Sequence, residues 1–254
     1  MKLTGNTLFI TGGGSGIGRA LAEAFHERGN KVIIGGRRRA TLDAVVAANP
    51  GMLAVELDIT DPASINTVAT QLIREHPDLN VLINNAGIML PDRAASPIDD
   101  GLLTDTISTN LVGPIRLTSA FVQHLKGKQN AVIAYTSSAL GFVPMAVTAI
   151  YSATKAALHS YALSQRFLLK GSGIRVIEII PPWVRTDLMN SREAELAMPL
   201  DEFISESMSV LSTDADEVLV ERARAFRGNP GPNEHALVNG FNQEAMGLFG
   251  DALG

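Results

Sequence analysis

The sequence contains no cysteine. This absence excludes disulfide bonds, thiolate metal ligands and a cysteine nucleophile, although it does not fix the redox compartment. The five histidines are scattered without a spacing typical of metal ligands, at His26, His76, His124, His159 and His235. We therefore expect no metal centre.

Long apolar runs and an excess of positive charge are also missing. No stretch approaches the roughly 18 consecutive apolar residues of a membrane span. The start of the chain, MKLTGNTLFITGGG, lacks the apolar region and cleavage site of a signal peptide. The formal net charge of −5 disfavours nonspecific binding to nucleic acid. We expect a cytoplasmic protein that binds neither membranes nor nucleic acid.

Short apolar runs alternate with helical patterns along most of the chain. Of the 254 residues, 46% are hydrophobic, which suffices for a large core. Six runs rich in Val and Ile are typical of buried parallel strands: residues 7–11, 31–36, 52–58, 81–87, 131–138 and 175–182. The alternation predicts an α/β fold with a doubly wound parallel sheet and helices on both faces. Because no linker or repeat interrupts it, we expect a single domain over residues 1–254.

The last third of the chain departs from this alternation. Residues 187–215 mix scattered apolar side chains with acidic ones, which indicates a lid over a substrate site or simply a variable loop. Residues 217–227 have the pattern of a helix. The tail, residues 234–254, has the spacing of a short amphipathic helix.

A glycine-rich segment, TGGGSGIG, directly follows the first predicted strand and opens a helix. Its glycines allow a tight turn, and they let a pyrophosphate approach the backbone at the helix N-terminus. A flexible glycine turn would have the same composition, but the strand–turn–helix context favours a dinucleotide site. The residues that we expect to bind the cofactor here are Gly12, Gly14, Ser15, Gly16, Ile17 and Gly18.

Three arginines follow the second predicted strand. An Asp or Glu at the end of that strand would favour NAD, because it accepts hydrogen bonds from the ribose hydroxyls. Here Gly36 stands at that point, and Arg37 and Arg38 follow it. A guanidinium can pair with a 2′-phosphate in bidentate fashion, so these two arginines favour NADP(H). The alternative is a solvated basic turn, and we favour that interpretation for Arg39.

Polar and small residues end the next two predicted strands. Asp58 and Ile59 follow one, and Asn85, Ala86 and Gly87 follow the other. This edge of an open α/β sheet is where ligands bind. We therefore predict that these residues contact the cofactor, with Asp58 able to bond the adenine amino group. Each polar residue could equally cap its strand.

Tyr151 and Lys155 lie four residues apart in YSATK, on one face of a predicted helix. A neighbouring ammonium and the positive nicotinamide of an oxidised cofactor stabilise a phenolate, so we expect them to lower the pKa of the tyrosine. Two surface residues would show the same spacing. Ser138 ends a buried strand at the ligand edge, and its hydroxyl could hold a substrate oxygen. This third group favours catalysis.

Taken together in order and spacing, TGGGSGIG, NNAG, TNLVGP, TSS, YSATK and PPWVRTDL resemble the short-chain dehydrogenase/reductase family, in its single-domain branch of about 250 residues. The resemblance covers residue 7 to about residue 190. It implies a Rossmann-like fold and a catalytic tetrad. In that tetrad Asn110 would hold a water and interrupt the helix near it, and Ser138 would polarise the carbonyl or alcohol. Tyr151 would be the general acid or base, and Lys155 would bind the nicotinamide ribose.

The same resemblance implies further cofactor contacts at Pro181, Val184 and Thr186, and an NADP-preferring enzyme. Two departures stand out: Pro182 replaces the usual glycine after the sixth strand, and the family's common final strand is missing from 236–254. We therefore favour six strands, with seven as the alternative. We also expect a homodimer through helices 102–126 and 151–170.

These observations predict an NADP(H)-dependent oxidoreductase that interconverts a carbonyl and a secondary alcohol, chiefly by reduction. A protein that binds NADP(H) as a redox sensor without turnover is the alternative. For the substrate pocket we name Met89, Leu140, Met145 and Trp183, because their loops border the expected nicotinamide site. The first three could instead be core residues.

Overall fold

The computed structural model describes residues 1–228 and 233–249. In this part of the chain seven strands form one parallel sheet in the order β3-β2-β1-β4-β5-β6-β7. The strands are β1 (Thr7–Thr11), β2 (Lys31–Gly36), β3 (Leu53–Glu56), β4 (Val81–Asn84), β5 (Val132–Thr136), β6 (Arg175–Ile180) and β7 (Glu217–Leu219). The order reverses between β1 and β4, as in a Rossmann fold, and the prediction of a doubly wound parallel sheet is confirmed.

Helices cover both faces of the sheet. In the described residues they are α1 (Gly16–His26), α2 (Arg39–Ala48), α3 (Pro62–Glu75), α4 (Asp100–Ile107), α5 (Gly113–Leu125), α6 (Ala149–Leu168), α7 (Leu200–Leu211), α8 (Glu221–Arg227) and α9 (Glu234–Phe249). None of them is both long and apolar enough to cross a membrane.

Side chains of the central strands alternate between two separate cores. Leu8 and Ile10 of β1 face the core that contains α1, α2 and α7, while Phe9 faces the core that contains α3, α5 and α6. All three side chains are fully buried. Because helices cover both faces, most positions of a central strand are apolar, and this explains the nearly continuous apolar runs of the sequence.

Of the two strand counts, six and seven, the structure has seven in its described residues. β7 pairs in parallel with β6 through Glu178↔Glu217, Ile179↔Val218 and Ile180↔Leu219. It lies at the start of 217–227, which the pattern had assigned to a helix, and α8 begins only at Glu221. An edge strand of three residues is too short to show a periodicity, so the helix that follows it hid it.

The long predicted helix at 102–126 is interrupted at Asn110. A π-helical turn, Ser108–Val112, separates α4 from α5. Asn110 is fully buried there, and its side chain bonds both backbone groups of Ile88: Oδ1 accepts from Ile88 N at 2.9 Å and Nδ2 donates to Ile88 O at 2.8 Å. The turn therefore fixes the chain just after β4.

The segment 187–215 contains two different structures. A 3₁₀ turn at Leu188–Glu193 lies beside the cavity described below, whereas α7 packs against α1. Phe203, Met208 and Leu211 of α7 are buried in the core. Only the first part of this segment is therefore placed to cover a ligand. In the tail, α9 ends at Phe249, and residues 250–254 lie outside the described part of the chain.

Gly113 offers a test of how tightly α5 packs against the chain after β3. A Cβ at Gly113 would lie 2.5 Å from the backbone oxygen of Ile59. Because backbone cannot give way as a flexible side chain can, we expect Gly113→Ala to lower the free energy of unfolding by about 1–3 kcal/mol. Urea denaturation measures it.

Gly240 is the matched control, because a Cβ there would meet nothing within 4 Å. It lies inside α9, where alanine is the better helix former by up to about 1 kcal/mol. Gly240→Ala should leave the free energy of unfolding unchanged or raise it. Equal destabilisation by the two substitutions would contradict this account of Gly113.

Candidate active site

A single cavity of about 670 Å³ runs along the carboxyl ends of the central strands. It extends from Arg37 and Arg38 at one end, past the β1–α1 loop, to Tyr151 and α9 at the other. In an open α/β sheet the crevice beside the strand-order reversal is the place for a dinucleotide. The shape and position of the cavity therefore suit an extended ligand with two different ends.

The β1–α1 loop forms the floor of this cavity. Of the residues predicted here, Gly12, Gly14, Ser15, Gly16 and Ile17 line it. Ser15 precedes α1 without a side-chain capping bond, so the first N–H groups of the helix carry no cap from it. An uncapped helix N-terminus facing a cavity is suited to an anion such as a pyrophosphate. On this observation the loop fits a dinucleotide.

Gly18 contributes in a different way, because it is absent from the cavity lining among the described residues. A Cβ at this position would lie 2.3 Å from Asn85 Nδ2 and 2.4 Å from the backbone oxygen of Gly12. Gly18 therefore permits α1 to pack against the end of β4. Its effect on a cofactor is through the shape of the loop.

The basic end of the cavity contains two of the three arginines. Arg37 is exposed and lines the cavity beside Gly36, and so does Arg38, whose Nη2 donates to Ser15 Oγ at 3.4 Å. Arg39 pairs with Asp43 of α2 at 2.8 Å and lies outside the lining. The structure thus separates the first two arginines from the third.

The side chain of Asp58 is hydrogen-bonded to a residue close to it in sequence. Its Oδ1 accepts from Thr60 N at 2.9 Å and from Thr60 Oγ1 at 2.7 Å, and these bonds lower the pKa of Asp58. Leu57 and Ile59 line the cavity, whereas Asp58 does not. These hydrogen bonds are those of a turn that ends a strand, which was the alternative for this residue.

The residues after β4 are fastened to β1. The N–H groups of Asn85 and Ala86 both donate to Thr11 Oγ1 at 3.0 Å, and Asn85 Nδ2 donates to Thr11 O at 3.1 Å. Asn85, Ala86 and Gly87 all line the cavity. Pro181, Val184 and Thr186 line it from the chain after β6. The predicted cofactor contacts thus come from the ends of five strands, β1, β2, β3, β4 and β6.

Three of the four predicted catalytic residues meet at the far end of the cavity. Tyr151 and Lys155 are buried, one turn apart on α6, with Lys155 Nζ 5.5 Å from the centroid of the tyrosine ring. Lys155 Nζ donates to the backbone oxygen of Thr136 at 2.8 Å. The side chains of Ser138 and Tyr151 are hydrogen-bonded. A phenol, a hydroxyl and an ammonium therefore face one point.

Burial determines the proton affinities of this group. It raises the pKa of Tyr151 to about 12, although the bond from Ser138 acts in the opposite direction. It lowers the pKa of Lys155 to about 8, opposed by the charge of Glu178. The expected fall in the tyrosine pKa is therefore not found in the protein alone, because desolvation outweighs the hydrogen bond from Ser138. In this state Tyr151 holds its proton.

Asn110, the fourth predicted catalytic residue, lies behind the residues that line the cavity. It is absent from the cavity lining among the described residues, and its amide is bonded to Ile88. A Cβ on Gly87 would lie 3.3 Å from Asn110 Oδ1 and 3.6 Å from Lys155 Nζ. Asn110 and Lys155 thus flank Gly87 from two sides.

The apolar part of the cavity contains all four predicted pocket residues, Met89, Leu140, Met145 and Trp183. The sequence reasoning missed a wall that α8 and α9 build opposite them, from Phe226, Phe241, Glu244, Ala245 and Leu248. The signal was the amphipathic spacing of the tail. That spacing predicts a buried face, but it cannot name the surface against which the face packs.

Asn242 fastens α9 to the loop before α6. Its Oδ1 accepts from Ala146 N, and its Nδ2 donates to Pro144 O at 2.9 Å. One residue earlier, Phe241 packs edge-on against Phe226 of α8 with centroids 5.4 Å apart. This loop leads directly to Tyr151, so α9 and the reactive phenol share one support.

Comparison with known proteins agrees with this geometry. The family model described as short chain dehydrogenase matches residues 6–197. The oxidoreductase DltE of Bacillus subtilis (strain 168) is 35% identical over 233 residues, which are 89% of this chain and 92% of that protein. The chain belongs to the short-chain dehydrogenase family, and it is an oxidoreductase of the type that acts on CH–OH groups.

Solved structures show the same fold. A short chain dehydrogenase from Burkholderia cenocepacia J2315, in complex with NADP, is 26% identical with a TM-score of 0.78 over 100% of both chains. One from Burkholderia phymatum, in complex with NAD, is 20% identical with a TM-score of 0.80 over 89% of this chain and 93% of that one. The two neighbours thus differ in their nucleotide.

The bonds of Asn242 predict a selective effect on the substrate. Asn242→Ala removes two hydrogen bonds that hold α9, each worth about 0.5–1.5 kcal/mol. We expect the KM of a carbonyl substrate to rise by about threefold or more, because the wall loosens. The KM of the nucleotide should stay constant. Steady-state kinetics measures both.

Asn239→Ala is the matched control, because Asn239 is exposed on the same helix. It should change neither KM. A parallel rise of both Michaelis constants in Asn242→Ala would show general damage and count against a specific role of α9.

Proposed function

We propose that this protein is an NADP(H)-dependent oxidoreductase that interconverts a carbonyl and a secondary alcohol, chiefly by reduction. The observation that carries the proposal is the group of Tyr151, Ser138 and Lys155 at the apolar end of a dinucleotide-shaped cavity. These residues offer a proton, a hydrogen-bond donor for an oxygen and a fixed positive charge within one small space.

Proton donation is the step that the geometry supports best. Burial raises the pKa of Tyr151 to about 12, so the phenol is protonated at neutral pH and can act as general acid towards a developing alkoxide. Ser138 can hold and polarise the same oxygen. The ammonium of Lys155 stabilises the phenolate that remains after transfer. Reduction uses Tyr151 in the protonated state that burial favours.

A nicotinamide nucleotide would supply the hydride of this reaction. The residues suited to hold it are those of the β1–α1 loop at the pyrophosphate, and Lys155 and Thr186 towards the nicotinamide half. What the chain itself contributes is the orientation of the substrate oxygen and the transfer of one proton from Tyr151 Oη.

The preference for NADP(H) rests on Arg37 first and Arg38 second. Gly36 ends β2 without a carboxylate, and both arginines line that end of the cavity. Arg37 lies near enough to Asp58 to contribute to the lowering of that residue's pKa. A 2′-phosphate beside Arg37 would gain a charge-assisted pair that the ribose hydroxyl of NAD does not offer.

A homodimer and a cytoplasmic location stay predictions. The surface of α6 supports the dimer, because Phe167 and Leu168 near its end are 77% and 79% exposed. Exposed apolar side chains of this size are typical of a protein–protein contact when they lie together. The predicted interface at 102–126 and 151–170 includes them.

The central test removes the proton donor alone. Tyr151→Phe deletes one hydroxyl from a buried ring, so the fold should persist while kcat falls by about 100-fold or more, the size of a lost general acid. A turnover screen with aldehydes, ketones and alcohols, followed by kcat on the best substrate, measures it.

Tyr161→Phe serves as the control, since Tyr161 is a half-buried tyrosine of the same helix and lies outside the cavity lining. It should leave kcat unchanged. If Tyr151→Phe keeps full kcat, the proposed chemistry is wrong. If the wild-type protein binds NADPH and turns over no substrate, the redox-sensing alternative gains support.

The nucleotide preference has its own test. Arg37→Ala should raise the KM of NADPH by about tenfold or more, the scale of a lost charge-assisted pair, and barely alter that of NADH. Arg39→Ala is the matched control, because Arg39 is paired with Asp43 outside the lining. Equal effects of Arg37→Ala on both nucleotides would make Arg37 a solvated residue of a turn.

A further inference from the structure

A carboxylate lies in the middle of the sheet, where the fold has no need of one. Glu178 stands in the middle of β6, where it is fully buried between apolar neighbours, whereas Arg175 begins the strand and is partly exposed. Burial of a polar group without a hydrogen bond costs about 2–7 kcal/mol, and burial of a carboxylate costs more. Hydrogen bonds and opposite charge compensate this cost. The proposed mechanism does not use it.

Both oxygens of Glu178 are hydrogen-bonded. Ser137 Oγ donates to Oε1 at 2.5 Å, and His159 Nδ1 lies 2.7 Å from Oε2. Glu178 has no exposed surface, and the histidine side chain is 16% exposed. These two partners fix the position of the carboxylate from β5 and from α6.

The same two partners adjoin the catalytic residues. Ser137 stands between Thr136, whose backbone oxygen accepts from Lys155, and Ser138, which bonds Tyr151. His159 follows Lys155 by one turn on α6, on the same helix face. The carboxylate of Glu178 is thus joined to both chain segments that hold the ammonium.

Two more charged groups surround this cluster. Glu217 of β7 is the register partner of Glu178. Arg227 of α8 donates to both carboxylate oxygens of Glu217, at 2.9 and 3.1 Å. Phe142 covers the cluster, with its ring 4.7 Å from that of His159 and 5.0 Å from the Arg227 guanidinium. Each carboxylate therefore has its own partner.

Ligand atoms of His159, Glu178 and Glu217 lie within 4.8 Å of one another, a spacing that also occurs at metal sites. Here, however, the guanidinium of Arg227 neutralises Glu217, and hydrogen bonds occupy both oxygens of Glu178. A cation would have to displace these groups. The arrangement is that of a hydrogen-bonded charge network.

We propose that Glu178 is a positioning residue for Lys155, whose carboxylate, held by Ser137 and His159, keeps the buried ammonium charged during reduction. This inference rests on the proposed roles of Tyr151 and Lys155. Burial lowers the pKa of Lys155 to about 8, and the negative charge of Glu178 acts against that fall. Without it, the lysine would lose its proton at a pH closer to neutrality.

Glu178→Gln tests the charge at nearly constant shape. Removal of an anion lowers the pKa of a neighbouring ammonium and of a neighbouring phenol. Reduction requires both groups protonated, so the alkaline limb of the pH profile of kcat/KM should move to lower pH, by about half a unit or more. A limb at the wild-type pH, or at higher pH, would overturn the proposal.

Two further variants separate charge from hydrogen bonding. Ser137→Ala removes a donor but keeps the carboxylate, so it should lower the rate without moving the alkaline limb. Glu178→Asp keeps the charge on a shorter side chain, and its limb should lie nearer to that of the wild type than that of Glu178→Gln does. A purely structural role would reduce the rate of all three variants and shift none of the profiles.

The wild-type protein provides a measurement that does not depend on the folding of a variant or on turnover. With glutamate labelled by ¹³C at the side-chain carboxyl carbon, NMR reports whether Glu178 is ionised. We expect the carboxylate form at pH 7 and above. The carboxylic acid form at pH 7 would sink the inference even if Tyr151→Phe behaves as proposed. If Glu178 is ionised and the Tyr151→Phe variant stays fully active, the proposed function is refuted instead.

Discussion

The ammonium of Lys155 is buried, and the backbone oxygen of Thr136 accepts a hydrogen bond from it at 2.8 Å. Every element of the catalytic end is arranged around this contact. It joins α6 to the carboxyl end of β5, and thereby sets the distance between the phenol on the helix and the hydroxyl of Ser138 after the strand. A charge buried in this way is tolerated only where fixed dipoles and an opposite charge surround it. The parallel sheet supplies both, because its strand ends converge there.

The two ends of the cavity differ in how deeply their charged and titratable side chains are buried. At the arginine end the side chains are exposed, so a phosphate can be bound by charges that remain hydrated. At the tyrosine end the groups are buried, so proton affinity is governed by desolvation. Apolar side chains from loops and from α8 and α9 line the cavity beside the phenol. The proposed function would therefore combine electrostatic binding at one end with acid chemistry in a low-dielectric environment at the other.

Much of this architecture could be predicted from local patterns. The runs at 7–11 and 31–36 became β1 and β2 with the same bounds, because a strand covered on both faces is mostly apolar. Glycine spacing, YSATK and Ser138 indicated where catalysis would lie. β7 could not be predicted, since its three residues form a strand only by pairing with β6. Asp58 accepts hydrogen bonds from Thr60, two residues further along the chain, which is the local alternative to a contact with the cofactor. The α9 wall and the Glu178 network depend on contacts between distant segments, which no single-sequence periodicity encodes.

The hydrogen bonds between Asn242 and the loop at 144–146 join a late segment of the chain to an earlier one. They therefore bear on the order in which the two halves of the cavity are synthesised. Synthesis runs from the N-terminus to the C-terminus, and a domain generally folds as a unit. The residues that line the nucleotide half of the cavity all precede residue 190, whereas the wall of α9 begins at Glu234. The residues of the nucleotide half are therefore synthesised before the helix that lines the substrate half. A chain shortened to end before α9 would keep every residue of the nucleotide half and lose the α9 part of the wall beside Tyr151.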